Sequence, residues 1–185
     1  MNISNEAKLP TKFGDFKIKS FIEKDKEHLV IFKEPFNEAP IVRVHSECLT
    51  GDALGSLKCD CGEQLEYALN MINQNGGMVI YLRQEGRGIG LFNKVNAYAL
   101  QDNGLDTVEA NHQLGFEADM RDFSIVSEIL KHFGISQIKL LTNNPKKLSE
   151  IKDIKIIERL EIKIKPNEYN KNYLETKKEK MGHML

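Results

Sequence analysis

The sequence contains no apolar run of membrane-spanning length, and residues 1–6 contain no basic segment followed by an apolar stretch. A membrane-spanning helix needs roughly 20 consecutive apolar residues, and a secretory signal needs a basic region followed by an apolar one. Cysteines that stay unpaired suit a reducing compartment. The sequence therefore predicts a cytoplasmic protein that has no membrane partner.

An excess of charge of either sign is also missing, because 26 Lys and Arg residues face 27 Asp and Glu residues, giving a net charge of -1. Nucleic-acid-binding domains usually carry a basic excess, so nucleic acid is not an expected partner. The hydrophobic fraction of 41% and the charged fraction of 29% are ordinary for a globular protein. We expect a single domain over residues 1–185, with about 165–185 as a basic, helical C-terminal tail.

Two motifs of P-loop nucleotide hydrolases are absent. The chain has no Gly-x4-Gly-Lys-Ser/Thr, whose backbone would cradle phosphates. The segment 93–96, Asn-Lys-Val-Asn, also lacks the aspartate of a guanine-reading Asn-Lys-x-Asp motif. A GTPase of the P-loop class is therefore excluded.

Cysteine is scarce. The sequence has three cysteines, and they lie within a stretch of fourteen residues: Cys48, Cys59 and Cys61. An odd number of cysteines argues against a disulfide framework. Three thiolates can hold a zinc ion and leave the fourth tetrahedral position open, which distinguishes a catalytic zinc site from a structural one. The spacing alone also fits three unpaired buried cysteines, or one disulfide with a free thiol.

Strand and helix patterns alternate through the middle of the chain, which predicts an α/β fold with a mixed β-sheet flanked by helices. The loose alternation of apolar and polar residues in 11–34 predicts an antiparallel N-terminal meander. Apolar periodicity predicts strands at 41–45, 78–82 and 138–141, and helices at 62–75, 91–103 and 122–133. Residues 106–119 are expected to form an irregular polar loop, and 154–164 a strand or hairpin.

Polar loops follow the central strands at Arg83, Asp106 and Thr142, where open α/β sheets bind their ligands. Among them, Gly86-Arg87-Gly88 predicts a flexible turn that brings backbone and a guanidinium close to an anion. Most of the lysines are expected to form a solvated basic surface.

Several long and irregular blocks of this sequence resemble the GTP cyclohydrolase II family. They are residues 42–54, 59–62, 83–91, 106–116, 119–122, 141–147 and 177–183, which together extend over nearly the whole chain. The resemblance implies that GTP is hydrolysed to 2,5-diamino-6-ribosylamino-4(3H)-pyrimidinone 5′-phosphate, with release of formate and diphosphate, as the first step of riboflavin synthesis. It also implies one zinc ion per subunit, Mg²⁺ with the GTP phosphates, and a stand-alone homodimeric enzyme.

The resemblance assigns catalytic roles to six residues. It places the zinc ion on Cys48, Cys59 and Cys61, and makes Tyr98 a phenol that donates to charge developing near C8 of guanine. Asp119 and Arg121 release diphosphate, with Asp119 as proton acceptor and Arg121 as covalent nucleophile; a protonated guanidinium would act instead as an electrostatic clamp. Without the resemblance, Tyr98 would fit a core residue, and Asp119 with Arg121 a surface ion pair.

The resemblance also assigns substrate-binding residues, including Gln64 at a base edge and Lys147 at a phosphate. The full set is Arg43, Val44, His45, Ser46, Glu47, Gln64, Glu85, Gly86, Arg87, Thr107, Thr142 and Lys147.

Two other interpretations are a GTP- and zinc-binding homologue that does not turn over, and a variant that releases diphosphate only or stops at a formylated intermediate. A decayed homologue is expected to have lost a catalytic residue, and all six are present here.

Overall fold

A computed structural model of the chain describes residues 1–184, and their strands form one eight-stranded mixed sheet. The strands are β1 (Asn2–Ile3), β2 (Ala7–Thr11), β3 (Gly14–Glu23), β4 (Lys26–Lys33), β5 (Ile41–Ser46), β6 (Gly77–Leu82), β7 (Gln137–Leu141) and β8 (Lys155–Leu160). The helices are α1 (Leu49–Asp52), α2 (Cys61–Asn75), α3 (Gly90–Asp102), α4 (Thr107–Gln113), α5 (Ile125–His132), α6 (Pro145–Glu150) and α7 (Lys171–Met181).

The strand order is β1-β3-β4-β6-β5-β7-β8, and β2 also pairs with β3. Strands β2, β3 and β4 form the antiparallel meander that the sequence predicts, with Lys17 opposite Phe32 in the β3–β4 pair. Strand β4 pairs antiparallel with β6. Strand β7 pairs parallel with β5 on one side and with β8 on the other. The predicted α/β fold with a mixed sheet is therefore confirmed.

The chain divides into two compact units. The first unit comprises Met1–His45, Gln64–Arg83 and Asp122–Ile162, and contains the sheet. The second comprises Ser46–Glu63, Gln84–Arg121 and the chain from Lys163 onward, and contains all three cysteines. The single domain over residues 1–185 remains a prediction.

The core of the first unit is built from the buried faces of strands and of α5. Helix α5 contributes Val126, Ile129 and Leu130, which are fully buried and follow the apolar spacing that predicted the helix. Phe21 and Phe32 of the meander are also fully buried in this cluster. Each such side chain stabilises the fold by about 1.5–3 kcal/mol relative to an exposed position.

One local prediction was wrong. Residues 107–113 form helix α4 rather than an irregular loop, because the carboxylate of Asp106 accepts from the backbone N–H groups of Val108 and Glu109. Glu109 in turn accepts from the N–H of Asp106 at 2.9 Å, completing a capping box. Residues 154–164 were predicted to form a strand or a hairpin, and the structure confirms the strand, because β8 pairs parallel with β7.

None of the helices within residues 1–184 combines the length and the apolar content that crossing a membrane requires.

Candidate active site

The sulfurs of Cys48, Cys59 and Cys61 lie within 4.8 Å of one another. Cys48 immediately precedes α1, and Cys61 is the first residue of α2, so two helix starts bring the thiols together. All three cysteines are free, with the Sγ atoms of Cys48 and Cys59 3.7 Å apart. The disulfide alternative is therefore excluded. Cys48, Cys59 and Cys61, the cysteine cluster, could together bind a metal ion.

Gly51 packs directly against the cysteine cluster. A Cβ atom on this residue would lie 2.8 Å from the Sγ of Cys59 and 3.2 Å from the Sγ of Cys48. A Cβ on Gly62 would in turn lie 2.4 Å from the carbonyl oxygen of Gly51. Both positions require glycine because the sulfurs and the backbone occupy the space that a side chain would need.

The thiols of the cysteine cluster do not ionise alike. Hydrogen bonds from Cys59 and Cys61 lower the pKa of Cys48, whereas the hydrogen bond to Cys48 raises the pKa of Cys59 to about 11. The pKa of Cys61 is raised well above its ordinary value, first by its hydrogen bond to Cys48. The protein alone thus favours one negative charge here, and a divalent cation is needed to stabilise three thiolates. Three convergent sulfurs are a donor set that fits zinc.

A buried ion pair lies against the cysteine cluster. The Nζ of Lys94 donates to the Sγ of Cys48 at 3.2 Å and to Oε1 of Glu85 at 2.7 Å. Glu85 also accepts from the backbone N–H groups of Leu49 at 2.6 Å and Gly86 at 2.8 Å. Burial lowers the pKa of Lys94, but Glu85 and the Cys48 sulfur outweigh it and raise that pKa, so the lysine stays charged beside the sulfur.

Most of the lysines were predicted to lie on a solvated surface, but Lys94, Lys147 and Lys177 are buried. Sequence analysis missed Lys94 as a residue of this site. A usable signal was its position four residues before Tyr98 on a predicted helix, which puts both side chains on one face.

Tyr98 lies beside the cysteine cluster rather than in the apolar core. Its hydroxyl is 3.3 Å from Oγ1 of Thr50, and that oxygen is 3.8 Å from the Sγ of Cys48. Burial raises the pKa of the Tyr98 phenol, so it remains protonated at neutral pH. A protonated phenol at this position can donate a hydrogen bond to a group held at the cluster.

Asp119 and Arg121 form a two-pronged ion pair, with Nε to Oδ1 at 2.8 Å and a terminal nitrogen to Oδ2 at 2.6 Å. Their side chains are only 13% and 11% exposed, so this is not an ordinary surface ion pair. The other terminal nitrogen is 3.5 Å from Oγ of Ser46. Burial lowers the pKa of Arg121, but Asp119 outweighs it and raises that pKa, so the guanidinium stays protonated.

The predicted glycine turn is present as a 3-10 turn at Glu85–Gly88. Gly86, Arg87 and Gly88 all have positive φ, and such a conformation is unusual for the arginine. The carbonyl of Arg87 accepts from the N–H of Met120 at 3.0 Å, which ties the turn to the Asp119–Arg121 segment. Within residues 1–184, the buried terminal nitrogens of Arg87 have no hydrogen-bond partner. Buried polar groups are usually hydrogen-bonded, so these nitrogens are available to bind an anion.

The first unit contains six of the residues predicted to bind substrate: Arg43, Val44, His45, Gln64, Thr142 and Lys147. Arg43 donates to Oε1 of Gln64 at 2.6 Å, and Lys147 donates to the carbonyl of Val44 at 2.6 Å. The structure therefore brings four of these six residues together in two pairs.

Six further predicted substrate-binding residues lie in the second unit: Ser46, Glu47, Glu85, Gly86, Arg87 and Thr107. Thr107 is the first residue of α4, directly after the capping residue Asp106. The carboxylate of Glu85 is occupied by Lys94 and two backbone groups, so its contacts within the protein support the turn.

Replacing Gly51 by alanine is expected to destabilise the fold by about 1–3 kcal/mol through overpacking and to weaken zinc binding, because the new methyl group displaces two sulfurs. Thermal unfolding and chelator competition measure the two effects. Leu54→Ala is the matched control, since that side chain is 74% exposed. Wild-type zinc affinity in Gly51→Ala would contradict the close packing of this residue against the sulfurs.

The sequence model of the GTP cyclohydrolase II family matches residues 2–161. The GTP cyclohydrolase-2 of Campylobacter hominis is 63% identical over 185 residues, covering 100% of this chain and 96% of the relative. That of Helicobacter pylori is 58% identical over 189 residues, covering 100% of this chain and 98% of the relative. A two-domain 3,4-dihydroxy-2-butanone 4-phosphate synthase from A. baumannii matches with a TM-score of 0.47 at 17% identity, over 88% of this chain and 40% of its own. On the family match and the two close relatives, the chain belongs to the GTP cyclohydrolase II family.

Proposed function

We propose that this chain catalyses the GTP cyclohydrolase II reaction, in which GTP yields formate, diphosphate and a ribosylaminopyrimidinone phosphate. This reaction is the first step of riboflavin synthesis. The observation that carries the proposal is the convergence of Cys48, Cys59 and Cys61 beside Tyr98 and Lys94. Such a convergence supplies both a metal site and a proton donor in a chain that matches the family over residues 2–161.

Cys48, Cys59 and Cys61 are the residues that would hold one zinc ion per subunit. Zinc bound by three protein ligands supplies a Lewis acid that lowers the pKa of water and thereby provides a nucleophile at neutral pH. Lys94 donates to the Cys48 sulfur and so fixes its orientation, while Glu85 holds Lys94. These outer contacts orient the ligand as carboxylates and carbonyls orient ligating histidines.

Opening the guanine imidazole ring requires water to add at C8, the C–N bond to break, and the formyl group to leave. Tyr98 serves this step as a hydrogen-bond donor, because burial keeps its phenol protonated. Thr50, 3.3 Å from the phenol, holds it at the cysteine cluster.

Diphosphate release requires charge stabilisation at the α-phosphorus, for which Mg²⁺ on the GTP phosphates is the expected partner. We assign Arg121 the role of electrostatic clamp, because a guanidinium paired with Asp119 stays protonated and has no free lone pair to attack phosphorus. Asp119 holds the fork of the guanidinium in a fixed orientation. Arg87, whose terminal nitrogens are buried, is a further anion partner.

The remaining substrate contacts follow the family resemblance. They are proposed for Arg43, Val44, His45, Ser46, Glu47, Gln64, Glu85, Gly86, Thr107, Thr142 and Lys147. A homodimer and a cytoplasmic location are likewise proposals that rest on the resemblance and on the sequence.

The test is to incubate zinc-loaded protein with GTP and Mg²⁺ and to quantify formate, diphosphate and the pyrimidine product together. Equal amounts of all three are the expected result. Diphosphate without formate would instead indicate the variant that does not open the ring. Tight GTP binding without turnover would indicate a non-enzymatic nucleotide-binding protein.

A further inference from the structure

Asp60 and Lys177 form another buried ion pair beside the cysteine cluster. Asp60 lies between Cys59 and Cys61 and is only 2% exposed. Its Oδ1 accepts from the Nζ of Lys177 at 2.8 Å, and Lys177 is itself 8% exposed. Lys177 lies on α7, 117 residues further along the chain. The C-terminal helix therefore reaches the turn that carries two of the three thiols.

The same face of α7 also supports the glycine turn. Tyr173 lies four residues before Lys177, and the Lys177 Nζ is 4.4 Å from the centroid of its ring. The guanidinium of Arg87 lies 5.7 Å from the same ring. Burial lowers the pKa of Lys177, but Tyr173 and Asp60 outweigh it and raise that pKa, so the ion pair is intact at neutral pH.

Helix α7 has anchors that do not depend on Lys177. Leu174 is buried, and Lys180 pairs with Asp106 and Glu109 at the start of α4. A buried ion pair seldom stabilises a fold more than well-packed apolar residues of the same volume. A lysine at position 177 is therefore not needed to dock the helix, and its contact with Asp60 requires another explanation.

We propose that Lys177 is a positioning residue of the metal site, whose ion pair with Asp60 fixes the Cys59–Cys61 turn in the arrangement that ligates zinc. The inference rests on the proposed zinc function of the cysteine cluster, and gives a role to Lys177, a residue to which the family resemblance assigns none. A turn that is ordered before the metal arrives loses less conformational entropy on binding, so its affinity for zinc is higher.

The test measures zinc affinity by competition with a chelator on the full chain. Lys177→Met is expected to weaken zinc binding by about 10- to 100-fold, the usual effect of removing a residue that orients metal ligands. Lys178→Met is the matched control, because that lysine is exposed on the same helix, and it is expected to bind zinc like the wild type. Cobalt substitution gives a second readout, since the thiolate-to-cobalt absorption band reports the geometry of the sulfurs.

The double variant Asp60→Asn with Lys177→Met separates positioning from the effect of an unpaired buried charge. It leaves no buried charge without a partner, and is expected to fold and yet bind zinc as weakly as Lys177→Met. Wild-type zinc affinity and an unaltered cobalt spectrum in the double variant would overturn the inference. A wild-type chain that binds no zinc would overturn the zinc function as well, which distinguishes the two failures.

Discussion

Replacing Cys59 by serine is expected to deprive the chain of zinc and to stop formate release. The sulfur of Cys59 is one of three that converge within 4.8 Å, and a neutral hydroxyl is a much poorer zinc ligand than a thiolate. We expect zinc affinity to fall about 10²- to 10⁴-fold, because one thiolate of three supplies roughly a third of the ~10–16 kcal/mol that protein ligands contribute in zinc sites.

The measurement pairs metal content after dialysis with formate release from GTP. Leu57→Ala is the control in the same loop, because the Leu57 side chain is exposed and does not belong to the cysteine cluster. It is expected to keep both zinc and formate release. If Cys59→Ser opened the guanine ring at the wild-type rate without zinc, the assignment of ring opening to the cysteine cluster would be wrong.

Replacing Arg121 by alanine is expected to reduce diphosphate release by about 10³- to 10⁵-fold, the effect of losing an arginine that stabilises the transition state of phosphoryl transfer. Zinc should remain bound, because Arg121 is not one of the three residues that would hold the ion and its hydrogen bonds to Asp119 and Ser46 lie outside the cysteine cluster. Arg121→Lys keeps the charge but loses the two-pronged geometry, so we expect it to restore only part of the rate.

Diphosphate is measured together with zinc content, so that a loss of folding is not mistaken for a loss of chemistry. Lys131→Ala removes an exposed ion pair with Asp153 and is expected to release diphosphate normally. Substantial diphosphate release by Arg121→Ala would rule out both a clamp and a covalent nucleophile at this residue.

Patterns local in the sequence predicted most of the elements. The apolar spacing of residues 125–130 gave α5, and the alternation in 11–34 gave the antiparallel meander, because each pattern reflects contacts that the element itself makes with the core. The capping box of Asp106 and Glu109 is also a local signal, and it marks the start of α4. The helix was nevertheless predicted to be a loop, because it is short and its apolar periodicity is weak.

By itself, the sequence determined the family, the α/β class and the clustering of three thiols, since those features follow from residue identity and short-range spacing. Only the tertiary structure decided which charged groups are buried. Lys94 meets the Cys48 sulfur across 46 residues, and Lys177 meets Asp60 across 117. A lysine on a surface and a lysine in a buried ion pair look alike in sequence, because the partner that stabilises a buried charge is chosen by the fold and not by neighbours along the chain.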